Sequence, residues 1–300
     1  MTNENCYWHP DRYAGVTCQR CERRVCADCM HTASVGFHCP ACISPQSIDS
    51  RRQPRSFVRS SNRILTVSEQ SLITRTLIAI NLLAFLATLF RGGSLSSGGG
   101  DVTIDFGLVG YGRVLSTFSI DYVGVAEGEW WRMVTGGFLH AGFIHLAFNM
   151  FLLWMLGSQL ERILGGTSYL ILYFASLLSG ALGVMLLDPL ALTVGASGAV
   201  FGLMGATVIY QLRRGVSPWS NGIGTLLIIN LIFTFARPNI SVGGHLGGLL
   251  GGLLIGWLID EINKKRVAGY LSFLVPLIIT VALGFSCIWA SEYWYDPILG

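Results

Sequence analysis

The sequence predicts an all-α polytopic membrane protein preceded by a small, separately folded cysteine-rich domain. Three observations carry that prediction. Only 12% of the 300 residues are charged while 52% are hydrophobic, so a solvent other than water surrounds most of the chain. Seven of the eight cysteines fall within the first 42 residues. Behind them lie seven apolar stretches, near residues 72–90, 145–160, 168–187, 197–212, 222–236, 244–260 and 268–290. The same composition excludes a disordered or a fibrous chain. A formal net charge of +3 gives no ground for a nucleic-acid partner, because phosphate binding needs a dense cationic face.

The N-terminal element is residues 1–46. Its ligand-type residues come as four pairs with a two-residue gap: Cys6 with His9, Cys18 with Cys21, Cys26 with Cys29, and Cys39 with Cys42. One tight turn can present both members of such a pair to a single ion, and thiolate with imidazole is the donor set that zinc prefers. Eight ligands fill two tetrahedral sites. Fewer than about 50 residues bury too little surface to fold alone, so the metal supplies folding free energy. With every coordination position taken by protein, both sites are structural rather than catalytic. A disulfide framework is the competing reading, but it needs an oxidising compartment and leaves seven cysteines unevenly paired. The spacing resembles that of the cross-braced B-box and RING modules. The resemblance implies that the first and third pairs share one ion and the second and fourth the other. His31 and His38 are spare imidazoles that could replace a cysteine in either site.

Residues 47–70 form a basic linker. Between residues 51 and 66 it carries Arg51, Arg52, Arg55, Arg59 and Arg63 with no acid, which suits a juxtamembrane segment drawn to anionic headgroups. The chain opens on polar residues and Cys pairs, so no secretory signal is expected at its start. With the N-terminus in the cytoplasm, the inner segments from residue 51 onward hold eleven arginines and lysines and the outer loops hold four, Arg91, Arg113, Arg132 and Arg237. That bias follows the positive-inside rule. It also puts the cysteine pairs in a reducing compartment, where thiolates persist. Seven spans then leave the C-terminus outside, and the lipid bilayer of the plasma membrane is the expected location.

In this orientation the second, fourth and sixth stretches all start at the outer surface. His145 and Asn149, Ser197, and His245 then share one depth on three different helices. Polar and ionisable groups inside a bilayer are costly and mark function. Ser197 lies in Gly195-Ala196-Ser197-Gly198 at the start of the fourth stretch, where unpaired backbone N–H groups suit a developing oxyanion. Gly195 and Gly198 allow a substrate backbone to approach closely. His245 is followed by Gly248, Gly252 and Gly256 at a spacing of four, a stripe along which two helices can pack almost backbone to backbone. That packing would bring the imidazole within hydrogen-bond reach of a serine on the adjacent helix.

These residues resemble the rhomboid family of intramembrane serine proteases over roughly residues 70–260. The carriers are Glu129-Trp130-Trp131-Arg132, then Phe138-Leu139-His140 with His145, Asn149 and Met150 behind it, then Gly195, Ser197 and Gly198, then His245 with Gly248 and Gly252. The resemblance implies a six-helix core over residues 71–262, with residues 263–300 adding a seventh helix and a tail. It implies Ser197 as nucleophile and His245 as base, without an acidic third member. His145, Asn149 and the Ser197 N–H would hold the oxyanion, and transmembrane proteins would be the substrates. Trp131 and Arg132 would belong to a structural loop in the membrane interface. Some bacterial members carry a tyrosine where this chain has Phe201; the ring can still stack on the imidazole, without the hydroxyl. Cys287, in the seventh stretch, reads as a small apolar side chain.

Two other classes compete. A catalytically inactive rhomboid-like adaptor would bind membrane clients while the zinc module recruits a cytoplasmic partner, but its hallmark is loss of the serine or the histidine, and both are present. A transporter would show paired acids or inverted repeats, and neither is seen.

Overall fold

The computed structural model describes residues 4–32, 36–43, 71–115, 119–265 and 270–293. They divide into two compact units, one within Met1–Arg63 and the other within Ile64–Gly300. The basic linker lies outside the described residues.

The first unit is built on two short antiparallel ribbons. β1 (Val16–Thr17) pairs with β2 (Arg24–Val25), and β3 (His31–Thr32) pairs with β4 (Phe37–His38). Its interior is not an ordinary apolar core: beside Ala14 and Val25, the buried residues are Cys6, Cys18, Cys26, Cys29 and Cys39. So few aliphatic side chains cannot offset the chain entropy of some forty residues.

The second unit holds seven long apolar helices, α1 (Leu72–Phe90), α2 (Phe143–Leu164), α3 (Gly166–Leu187), α4 (Ser197–Leu212), α5 (Ile223–Ala236), α6 (Val242–Lys264) and α7 (Leu271–Tyr293). Five are long and apolar enough to cross a membrane; α4 and α5 are shorter. In α1 the usual arrangement is inverted. Thr74, Asn81 and Thr88 are buried on the same stripe as Leu77 and Phe85, while Leu83, Leu86 and Phe90 point outward. Lipid solvates the leucines, so the polar residues turn inward, where Asn81 and Thr88 bond to carbonyls of their own helix. The N-terminus of α1 is capped from α2: the Glu161 carboxylate accepts from the backbone N–H groups of Ile73 and Thr74 and from the Thr74 hydroxyl.

The helix α4 is buried on nearly every side from Gly198 to Thr207, which makes it the centre of the bundle. α6 lies wedged between α3 and α4 on two stripes of small residues. Gly248, Gly252 and Gly256 face Gly198, Gly202 and Ala206 of α4, as their spacing of four predicts. Gly243, Gly247 and Gly251 face Ser179 and Gly183 of α3 on the opposite flank. A Cβ at Gly252 would collide with the backbone of Gly202, so no larger residue permits this approach. The C-terminal ends of α4 and α6 are tied by Arg213, paired with both Asp260 and Glu261. α7 packs on α3, with Cys287 buried and its thiol donating to the Leu178 carbonyl.

Candidate active site

Ser197 is the first residue of α4, behind Gly195 in the left-handed region at φ +134°. A Cβ at Gly195 would stand 2.7 Å from His145 Cε1, 3.0 Å from its Nε2 and 3.4 Å from Ser197 Oγ. The absence of a side chain at Gly195 therefore has two causes, backbone conformation and space. The same distances put the Nε2 edge of His145 and the Ser197 hydroxyl around one point.

His145 Nδ1 accepts from the backbone N–H of Ala141 at 3.3 Å. A backbone N–H only donates, so Nδ1 is the bare nitrogen and the neutral ring carries its proton on Nε2, facing Gly195 and the serine. Asn149 is buried one turn further along α2 and spends one N–H on the His145 carbonyl at 2.9 Å, keeping a second. Together with the N–H groups of the first turn of α4, these form a set of donors suited to an oxyanion.

His245 sits in the first turn of α6, whose N-cap Ser241 accepts from the Gly244 N–H. Its ring stacks on Phe201 of α4, with centroids 4.2 Å apart and planes 21° off parallel. Its Nδ1 is 2.7 Å from the Thr234 hydroxyl of α5. Ser197, His245, His145, Asn149, Gly195 and Gly198 all line one cavity of about 1140 Å³. Phe201 lines it as well, along with parts of the connections that follow α3 and α5. Ser197 and His245 make no hydrogen bond to each other in this structure. Catalytic hydrogen bonds of this kind are often long until a substrate is bound.

Trp131 and Arg132 do not line this cavity. Arg132 is buried and acts as a tie: its Nε donates to Glu129, and one terminal nitrogen donates to the carbonyls of Ile104 and Gly107. Glu129 in turn accepts from the Gly124 N–H. Trp131 is half exposed at the surface of the loop. Sequence reasoning passed over Asn230 of α5, which lines the cavity, and Thr234 one turn on, which touches His245 from behind it.

In the first unit, Cys6, His9, Cys26 and Cys29 form one cluster and Cys18, Cys21, Cys39 and Cys42 another, each with its ligand atoms within 4.8 Å of one another. This is the interleaved arrangement implied by the resemblance to cross-braced modules. His31 and His38 belong to neither and pair across β3 and β4. His9 Nδ1 stands 4.0, 3.5 and 3.3 Å from the sulfurs of Cys6, Cys26 and Cys29, and Cys21 lies 3.6 Å from Cys39. Ligands at ordinary zinc distances span tetrahedral edges of about 3.5–3.8 Å, so the donor geometry fits such an ion. Burial, with the neighbouring thiols of each cluster, pushes Cys29 and Cys42 up to about 12. At Cys6 and Cys18 burial works the same way but is outweighed by backbone N–H donors, and the thiols fall to about 6. So many sulfurs can all ionise together only around a cation.

Residues 127–261 match the family model for the Rhomboid domain. The chain is 34% identical over 177 residues to Rhomboid protease GluP of Bacillus subtilis (strain 168), covering 58% of this chain and 32% of that one. It is 34% identical over 190 residues to Rhomboid-like protease 1 of Toxoplasma gondii, covering 60% and 65%. It is 39% identical over 121 residues to RHOMBOID-like protein 5 of Arabidopsis thaliana, covering 40% and 38%. The chain thus spans from about a third to just under two thirds of the length of these relatives. The domain match and these relatives support the rhomboid family, and protease chemistry at the level of that family, for the segment that contains Ser197 and His245.

Proposed function

We propose that the chain is an intramembrane serine endopeptidase that cleaves transmembrane proteins near the outer membrane face. The observation that carries this reading is the single cavity lined by a serine, two histidines and an asparagine from α2, α4 and α6. His245 takes the Ser197 proton as the hydroxyl oxygen attacks the scissile carbonyl, and the negative charge passes to the carbonyl oxygen. His145, Asn149 and the Ser197 N–H hold that oxyanion. The intermediate collapses, the C–N bond breaks, and the leaving amine takes the proton back from His245. Water, deprotonated by the same imidazole, then releases the acyl group from Ser197. A helical substrate must first unwind at the cleavage point, because its own hydrogen bonds hide the carbonyls; small or helix-breaking residues there ease that step.

The residues of both clusters are proposed to hold two structural zinc ions, Cys6, His9, Cys26 and Cys29 around one and Cys18, Cys21, Cys39 and Cys42 around the other. Zinc would fix the fold of the N-terminal module and takes no part in peptide hydrolysis. The positive-inside bias supports a multi-pass protein of the plasma membrane with that module in the cytoplasm, where it would meet a protein partner, and with the C-terminus outside.

Two measurements test the catalytic reading. A fluorophosphonate probe should label the wild-type chain and fail on Ser197→Ala, and release of a single-span reporter should disappear in the same variant. Cleavage retained by Ser197→Ala removes the dyad assignment. A wild-type chain that neither labels nor cleaves, yet still binds single-span proteins, is instead the inactive adaptor.

A further inference from the structure

We infer that Thr234 is a positioning residue that fixes which nitrogen of His245 carries the proton. The inference rests on the protease reading for its consequence, but the hydrogen bonds that carry it do not.

A threonine hydroxyl has one proton to donate and lone pairs to accept with. Thr234 Oγ1 lies 2.8 Å from the Asn230 carbonyl oxygen, one turn back on α5. A carbonyl oxygen can only accept, so this contact uses the hydroxyl proton. What Thr234 offers His245 Nδ1 at 2.7 Å is then a lone pair, and Nδ1 must be the protonated nitrogen. The neutral ring consequently bears its lone pair on Nε2. A base that draws a proton from a serine needs that tautomer, whereas an unrestrained neutral imidazole side chain favours the proton on Nε2.

The surroundings agree with this assignment. Thr234 is buried and does not line the cavity, while His245 does, so the threonine grips the ring from behind. Phe201 fixes the plane of the ring by stacking, and Thr234 fixes its rotation within that plane. His145 shows the opposite polarity in the same cavity: its Nδ1 accepts from the Ala141 N–H, so its Nε2 donates. Two imidazoles at one site are thus held in opposite tautomers, one as an acceptor for a serine proton and the other as a donor. In a dyad with no acidic third member, a neutral hydroxyl whose own proton is spent on its helix takes over the orienting task. It does so across a helix boundary, since Thr234 belongs to α5 and His245 to α6.

The test uses the full-length chain in detergent micelles with ¹⁵N-labelled histidine, His245 being assigned by comparison with His245→Asn. Long-range ¹H–¹⁵N correlation should show His245 protonated at Nδ1 and His145 protonated at Nε2. Thr234→Val, which keeps the shape and removes the acceptor, should shift His245 toward the Nε2-protonated form and slow fluorophosphonate labelling of Ser197 by about 10–100-fold. Thr234→Ser should restore both within about threefold. An Nε2-protonated His245 in the wild-type chain overturns the inference, and that measurement needs no variant to fold. So does a folded Thr234→Val that keeps both the wild-type tautomer and the labelling rate. If the wild-type chain shows the expected tautomers but is never labelled, the hydrogen-bond assignment stands and the protease reading fails.

Discussion

In the cysteine-rich unit each half-site is made by residues three positions apart in the chain, whereas in the bundle residues on α2, α4, α5 and α6 must come together before any site exists. The first arrangement is local within each pair, and the proposed ion would close it. The second is non-local and depends on helix packing, with glycine stripes setting how near the helices come. The contrast teaches where each region is expected to be fragile: the first to removal of the proposed ion, the second to a change of one methyl group at a backbone crossing.

The largest effect is expected from the ion. Stripping metal with a chelator should unfold the cysteine-rich unit, since binding free energy of on the order of 10 kcal/mol serves as folding free energy in such modules. Protease sensitivity of that unit should rise while the helicity of the bundle, read by circular dichroism, stays unchanged, and elemental analysis should return two ions per chain before stripping. A stripped unit that still resists protease would break the comparison.

Within the bundle, Arg132→Ala should cost about 3–5 kcal/mol, because it leaves Glu129 and two carbonyls without a buried cation. Thermal melting in detergent measures it. Gly252→Ala comes next, at about 1–3 kcal/mol, since the added methyl meets the backbone of Gly202. Its control is Gly284→Ala in α7, where the methyl meets a leucine side chain at an ordinary 3.9 Å and the change should be neutral or stabilising by up to about 1 kcal/mol. Equal losses at the two glycines would remove the role given to close packing. Glu161→Gln should weaken the cap on α1 by about 1 kcal/mol, again read by melting. The smallest effect sharpens the other side of the comparison. His31→Ala, exposed and outside both clusters, should leave metal content unchanged and stability within about 0.5 kcal/mol.

Much of this was open to inspection in the sequence, for identifiable reasons. Each of the seven apolar stretches corresponds to a helix, because hydrophobic runs of that length can satisfy their backbone in lipid only by coiling. The stripe Gly248, Gly252 and Gly256 announced a close crossing through its spacing. A second stripe, Gly243, Gly247 and Gly251, has the same spacing and meets the equally spaced Ala175, Ser179 and Gly183 of α3, but spacing alone does not say which helix is the partner. Ser197, His245, His145 and Asn149 stood out through their resemblance to a family motif, and Thr234 did not, because its meaning lies in a bond to a residue eleven positions away.

The sequence by itself determined what each segment could be: which stretches must leave water, which pairs can grip an ion, and which positions admit a backbone neighbour. Those are properties of spacing and side-chain chemistry, and they survive without a fold. Only the tertiary structure decided which hydrogen-bond partners face Nδ1 of His145 and Nδ1 of His245, which sulfurs gather around one point, and that Arg132 binds carbonyls inside its loop rather than facing the cavity. Hydrogen-bond polarity is a relation between groups on different elements, so it has no value until packing has chosen the partners.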